Sequence, residues 1–363
     1  MIPLFAPLRQ NELLASEIEH TFREVLFSGE YILGKKVAEF EESLKQSLSF
    51  NNAVGCASGT EALVLAVKAL DLPRGSEVIT PSFSFVASTS SVVWAGYKPN
   101  LCDVDTMSGC VEVRNIDKAM TENTKAVIAV DLFGRQCDIE NIRNYCKQKN
   151  LFLIEDGAQS IGVPNLGPTF YTTSFYPTKN IGAIGDAGAV LTDNDQLAKR
   201  VRELSRHGSM VRDFYPMAGT TGRLDTVQAA ILSLKLEFMQ EWSEARKAIA
   251  DRYLEVISNF SDKCEVFTVP ANSASHVWSL FTIRIPKYRN QLVELLKEKG
   301  IGVGVYYSKA IHEQPAFKEY GNFDCPNSTL LSNEVLSIPI FPELTTLEID
   351  QICDSLALCL RTI

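Results

Sequence analysis

The stretch KAVIAVDLFGRQCDIENIRNYCKQKNLFLIEDGAQ, residues 125–159, contains the unit from which the molecule is built. Its first part, KAVIAVDLFG (125–134), is a short apolar run bounded by turn-forming residues, and NLFLIEDGAQ (150–159) is a second. Between them, IENIRNYCKQK (139–149) has the spacing of an amphipathic helix. Apolar strands without polar alternation are buried on both faces, which is how strands of a helix-covered parallel sheet read.

The same alternation extends to both sides. SEVITP (76–81) is another apolar strand, while TEALVLAVKAL (60–70) and DQLAKRVRELSRHG (195–208) have helical spacing. The expectation is an α/β fold with a mostly parallel central sheet. In such sheets ligands lie beyond the carboxyl ends of the strands, so the polar residues just after each strand are the site candidates. From about residue 228 the pattern changes. VQAAILSLKLEFMQEWSEARKAIADRYLEVISNF reads as one long helix or two closely joined ones, followed by HVWSLFTIRI, IGVGVYYS and a closing helix, LTTLEIDQICDSLALCLRTI. This predicts a large domain over 26–234 and a smaller α+β domain formed by 1–25 with 235–363.

Composition narrows the function. The 363 residues carry a formal charge of −9. That disfavours a sequence-independent nucleic-acid binder, which needs a basic face. Nine cysteines occur without a Cys-x-x-Cys or zinc spacing, the pattern of reduced thiols in a cytoplasmic protein and not of a metal site. No apolar run approaches the roughly 20 residues of a membrane span, and the N-terminal segment has no signal-peptide pattern.

Two familiar motifs fail. GEYILGKK (29–36) puts Lys36 where a phosphate-binding loop needs Ser or Thr, so a turn is the better reading. Gly182, Gly185 and Gly188 are spaced G-x-x-G-x-x-G, which is not the dinucleotide fingerprint. Three other features carry chemistry. In GCASGTEALVLAVKAL (55–70), Gly59 and Thr60 open a helix whose free N–H groups suit a phosphate, although a capping box of Ser58 with Glu61 also accounts for the pattern. FLIEDGAQSIG (152–162) puts Asp156 at a strand end with Gln159 after it, as a ligand-facing acid or a helix cap. TTSFYPTKNIGAIGDAG (172–188) surrounds Lys179 with Phe175, Tyr176 and Pro177 on one side and glycines on the other. A lone lysine in such a turn is usually solvated surface. A desolvated one is a nucleophile. Together, an anion cradle, a strand-end acid, Ser174 and Lys179 match what pyridoxal phosphate requires. TPSFSFVAS supplies an aromatic for the ring, Phe85 or alternatively Phe83.

With these motifs in this order, the chain resembles the DegT/DnrJ/EryC1/StrS family of sugar aminotransferases, fold type I pyridoxal-phosphate enzymes. ASGTEAL, GSEVITPSFSFVAS, VDLFGRQCDIENI, IEDGAQSIG, TSFYPTKNIGAIGDAGAV, GRLDTVQAAILSLKLEFM and VYYSKAIHEQPAF carry the likeness, the last and GRLDTVQAAIL pointing to the branch that aminates the 3-keto carbon of UDP- or dTDP-linked sugars. The resemblance implies Lys179 as the cofactor-bearing lysine and Asp156 as partner of the pyridine nitrogen. It puts Gln159 near the ring hydroxyl, Phe85 on the ring, and Gly59, Thr60 and Ser174 at the phosphate. Arg223, Tyr306 and Tyr307 match nucleotide-sugar positions, L-glutamate is the implied donor, and a homodimer with shared sites is expected. Members that use the cofactor for dehydration carry histidine in place of the lysine, and a non-catalytic cofactor-binding regulator is the other alternative. Two departures stand out. Thr221 replaces the usual Asn that reaches the phosphate across the dimer, and VPNLGPTFYT (163–172) is shorter than the usual hairpin, a trimming expected near the pocket.

Overall fold

The computed structural model describes residues 1–266 and 276–363. Seven strands form the large sheet: β1 (Asn52–Cys56), β2 (Glu77–Pro81), β3 (Lys98–Cys102), β4 (Thr124–Val130), β5 (Phe152–Asp156), β6 (Phe170–Ser174) and β7 (Gly188–Thr192). Their order is β1-β7-β6-β5-β4-β2-β3. Neighbours from β6 to β3 are parallel, and β7 runs against both β6 and β1. Because β7 reverses twice, β1 points the same way as β6. The carboxyl ends of β1, β2, β4, β5 and β6 therefore share one edge.

The uninterrupted apolar runs are explained by cover on both faces: β2 and β7 are buried along their whole length. The helix Gly59–Ala69 is buried nearly all round and packs on β6 and β7. On the other face, Phe40 of the helix Lys35–Ser47 meets Phe175 edge-on at 5.5 Å. The chain crosses from the β3 side of β2 to its β4 side, so the topological switch point lies between β2 and β4, with Asp156 one strand away at the end of β5.

The segment after residue 225 forms two helices, Thr226–Leu236 and Met239–Ser258. A second, antiparallel sheet follows, with β8 (Glu265–Val266), β9 (Phe281–Arg284) and β10 (Val335–Ile338) in the order β10-β9-β8. Its core includes Tyr253 packed edge-on to Phe281 at 5.1 Å. Ile2 packs into this core, whereas Leu14 and Ile18 pack on the large sheet's side. IGVGVYYS forms no strand; Gly304 pairs locally with Ser337, and the chain then passes to the edge of the large sheet. All nine cysteines are unpaired and buried. Among the described residues no helix is long and apolar enough to cross a membrane.

Candidate active site

Lys179 is held by the backbone around it. Its N–H donates to Tyr176 O at 2.8 Å, and Ala183 N–H returns to Phe175 O at 2.8 Å, so the loop after β6 closes on itself. A Cβ at Gly182 would lie 2.4 Å from Pro177 O, which is why a glycine stands there. The amine is desolvated, and this lowers its pKa to about 8, with the charge of Asp156 acting in the opposite sense. About a tenth of it is then neutral at pH 7, far more than for a surface lysine. The rate of carbonyl addition to Lys179 is expected to rise between pH 7 and 9 with a midpoint near 8. Stopped-flow uptake of pyridoxal phosphate by the cofactor-free protein measures it, and a flat profile over that range contradicts the shift.

Asp156 ends β5 and is buried. One carboxylate oxygen accepts from Ser88 Oγ at 2.9 Å and the other from Ala158 N–H at 3.2 Å. Burial pushes its pKa up, while Ser88, Ala158 N–H and the Lys179 charge pull it back down. Gln159 is fixed at both ends of its amide: Oε1 accepts from Phe133 N–H at 2.6 Å and Nε2 donates to Tyr307 Oη at 3.2 Å. Tyr307, expected from sequence at the nucleotide sugar, is thus bonded to Gln159, expected from sequence at the cofactor. Its ring lies 6.2 Å from both Phe83 and Phe85. Phe83 is enclosed, packed edge-on to Phe133, whereas Phe85 is 54% exposed. Of the two candidate aromatics, only Phe85 has a ring face free for a ligand.

The turn before the helix Gly59–Ala69 is both a cap and a cradle. Ser58 Oγ accepts from Glu61 N–H at 3.0 Å, so the capping half of the sequence pattern is present. The N–H groups of Gly59 and Thr60 stay outside the helix's own ladder. Ser174, at the end of β6, sits so close that a Cβ on Gly59 would meet Ser174 Cβ at 2.5 Å. Gly188 approaches from β7, where a Cβ would meet Ser58 O at 2.4 Å. The result is a backbone-lined pocket edge with hydroxyls from Thr60 and Ser174, and a side chain at Gly59 would fill it.

Thr221 and Arg223 belong to a segment, distant in sequence, that packs against the residues flanking this turn. Arg223 bridges to Cys56, and Gly222 O accepts from Ala57 N–H at 3.0 Å, so the segment runs beside the end of β1. Thr221 is exposed and its hydroxyl is 3.1 Å from His207 Nε2; Thr220 bonds to Glu61. Arg223 Nε is buried without an acceptor among the described residues. Tyr306 is half-buried, its ring 6.3 Å from Phe5, and burial raises its phenol pKa. The trimmed segment 163–172 leads from the carboxyl edge back across the sheet. Asn165 bonds to Ser49 O and to Asp193, at the opposite edge of the sheet from Lys179. A connection between two parallel strands must return to the amino end, and it carries the loop away from the pocket.

Ser88 is the site residue that sequence reading missed. The signal was present as the hydroxyl run ASTSS after Phe85, in which Ser88, Thr89 and Ser91 are all buried. Buried hydroxyls in a helix's first turn need partners, and one of these partners is the acid.

An amine and an acid set at the carboxyl edge of this strand order define the class, an α/β aminotransferase of fold type I. The molecule superposes on DesV from S. venezuelae, solved in complex with a ketimine intermediate, with a TM-score of 0.96 at 30% identity, covering 100% of this chain and 99% of that one. It superposes likewise on NtdA from Bacillus subtilis with bound PMP, with a TM-score of 0.93 at 29% identity, covering 99% and 85%. Residues 12–357 match the DegT/DnrJ/EryC1/StrS aminotransferase family, and the chain belongs to it. It is 37% identical over 352 residues to a pleiotropic regulatory protein of Geobacillus stearothermophilus, covering 94% of each chain. It is 33% identical over 365 residues to the UDP-2-acetamido-2-deoxy-3-oxo-D-glucuronate aminotransferase of Pseudomonas aeruginosa, covering 98% and 99%.

Proposed function

We propose that this protein is a pyridoxal-phosphate-dependent aminotransferase that moves the amino group of L-glutamate to a keto group, at C3, of a UDP- or dTDP-linked sugar. The observation that carries it is the desolvated Lys179 amine on the loop after β6 and the buried Asp156 carboxylate at the end of the neighbouring β5, each within range of the other's charge. Around that pair, the cradle of Gly59, Thr60 and Ser174 and the free face of Phe85 complete what the cofactor needs. The donor set therefore fits pyridoxal phosphate. Lys179 would hold its aldehyde carbon, Asp156 its ring nitrogen, Gln159 the side of the ring hydroxyl, and the cradle its phosphate.

When bound, the cofactor supplies an electron-poor ring that accepts the electrons of a carbanion. The protein's own part follows from the geometry. Neutral Lys179 Nζ takes the proton from the α-carbon of the amino donor and returns it on the far side of the transfer, acting as base and then acid. Asp156, ionised, keeps the ring nitrogen protonated. The Gln159–Tyr307 pair and Phe85 fix the ring plane, and enclosure by Phe83, Phe133 and Tyr307 limits water. Arg223, with Tyr306 and Tyr307, would meet the nucleotide sugar, a guanidinium being suited to its phosphates. Exposed apolar side chains such as Phe27, Phe214 and Tyr215 support a homodimer, in which Arg223 and Thr221 serve the partner's site. Buried reduced thiols suit a cytoplasmic enzyme.

Addition of L-glutamate to the yellow cofactor-loaded protein is expected to bleach its visible band and release one equivalent of 2-oxoglutarate. A 3-keto nucleotide sugar should then restore the colour. Colour that glutamate does not bleach would favour a binding role without turnover, and absence of colour would remove the cofactor from the reading.

A further inference from the structure

Asp156 has no cation within hydrogen-bonding distance among the described residues, yet the proposed chemistry needs it ionised and aimed at one point. Burial alone favours its neutral form. What opposes burial at closest range is the hydroxyl of Ser88, 2.9 Å from Oδ2, followed by Ala158 N–H on Oδ1. Ser88 is 1% exposed, so its hydroxyl is enclosed by protein.

The direction of the chain of hydroxyls can be deduced. Ser84 Oγ and Ser88 Oγ are 3.1 Å apart, and geometry alone leaves either as donor. The single hydroxyl proton of Ser88 is committed to Asp156, which as a carboxylate can only accept. Ser84, itself 4% exposed, must therefore donate to Ser88. Two hydroxyl dipoles then point the same way, toward the acid, and each strengthens the other. The backbone of Ser88 is also pinned. Its N–H donates to Phe85 O at 3.2 Å, and its carbonyl accepts from Ser91 Oγ at 3.2 Å. The residue that holds the acid is thus tied to the aromatic whose ring face is open to the ligand.

We propose that Ser88 is the positioning residue for Asp156: its hydroxyl holds the carboxylate ionised and in a fixed orientation, with Ser84 as the donor behind it. The proposal rests on the reading of this site as a pyridoxal phosphate site. In it, Ser88 touches neither substrate nor cofactor and acts only through the acid.

The test is Ser88→Ala, studied as the cofactor-loaded protein. A less stabilised carboxylate leaves the ring less electron-poor and the nitrogen of the lysine–cofactor bond more basic. The pH midpoint of the visible band is therefore expected to move up by about one unit, the scale of one hydrogen bond to a charged group. kcat is expected to fall about tenfold with KM for the nucleotide sugar unchanged. Ser88→Thr, which keeps the hydroxyl, should return both values to wild type. A purely structural serine would lower the melting temperature of the cofactor-free protein and leave the midpoint where it was. That result, or a wild-type midpoint and kcat together, overturns the proposal. If Ser88→Ala does not fold, Ser84→Ala is expected to shift the midpoint in the same direction by less, and an unmoved midpoint overturns it equally. A wild-type protein that takes up no pyridoxal phosphate overturns the site reading and this proposal with it. A coloured wild type indistinguishable from Ser88→Ala overturns this proposal alone.

Discussion

Lys179→Ala is expected to yield a folded, colourless protein whose transamination rate falls at least about 10⁴-fold, the upper range for loss of a positioned acid–base group. The fold should survive because the loop is shaped by main-chain bonds, Lys179 N–H to Tyr176 O and Ala183 N–H to Phe175 O, which alanine retains. Removing the amine also relieves a desolvated cation, so no loss of stability is expected from burial. Circular dichroism and thermal melts should match the wild type, while borohydride reduction should fix pyridoxyl to wild-type Lys179 and to nothing in the variant. Normal transamination by Lys179→Ala would remove the lysine from the mechanism.

The second large effect is expected at Asp156. Asp156→Asn keeps the shape but removes the charge; its Oδ1 can still accept from Ala158 N–H, while its Nδ2 can only donate, so the bond to Ser88 must reverse. Breaking a buried charge pair by removing one partner costs on the order of 3–5 kcal/mol, here set against the ring nitrogen. Turnover should fall by about 10²–10⁴-fold, converting at ~1.4 kcal/mol per tenfold. Cofactor colour should persist, since Lys179 remains, and this separates the role of the acid from that of the lysine. The Lys179 amine also loses the charge that raises its pKa, so its titration should move below about 8. Steady-state kinetics at saturating glutamate and a pH titration of cofactor uptake measure the two effects. Wild-type turnover in Asp156→Asn would mean the ring nitrogen needs no partner.

Much of this architecture was legible in the residues because parallel, doubly covered strands require continuous apolar runs, and 125–159 shows two of them around a helix. The edge that carries the site followed from the same pattern. The strand-end positions of Asp156 and Ser174, and the helix-opening positions of Gly59 and Thr60, are local facts of sequence. So is the choice of glycine beside Lys179, since each close backbone approach excludes a Cβ.

Other features depend on residues far apart in the chain. Phe83 and Phe85 read alike in sequence, and only packing against Phe133 and Tyr307 buries the first and leaves the second open. Tyr307 reaches Gln159 across 148 residues, and Ser88 reaches Asp156 across 68. Hydroxyls carry no periodicity that names their acceptor, so a buried serine signals only that some partner exists. The segment 163–172 is short in sequence, but only the folded chain shows Asn165 carried to the opposite sheet edge from Lys179. The sequence by itself determined the fold class and singled out Lys179 and Asp156 as the candidate pair, because both depend on local pattern and residue chemistry. The tertiary structure decided which side chains orient that pair, because those contacts exist only once distant strands and helices are brought to one edge.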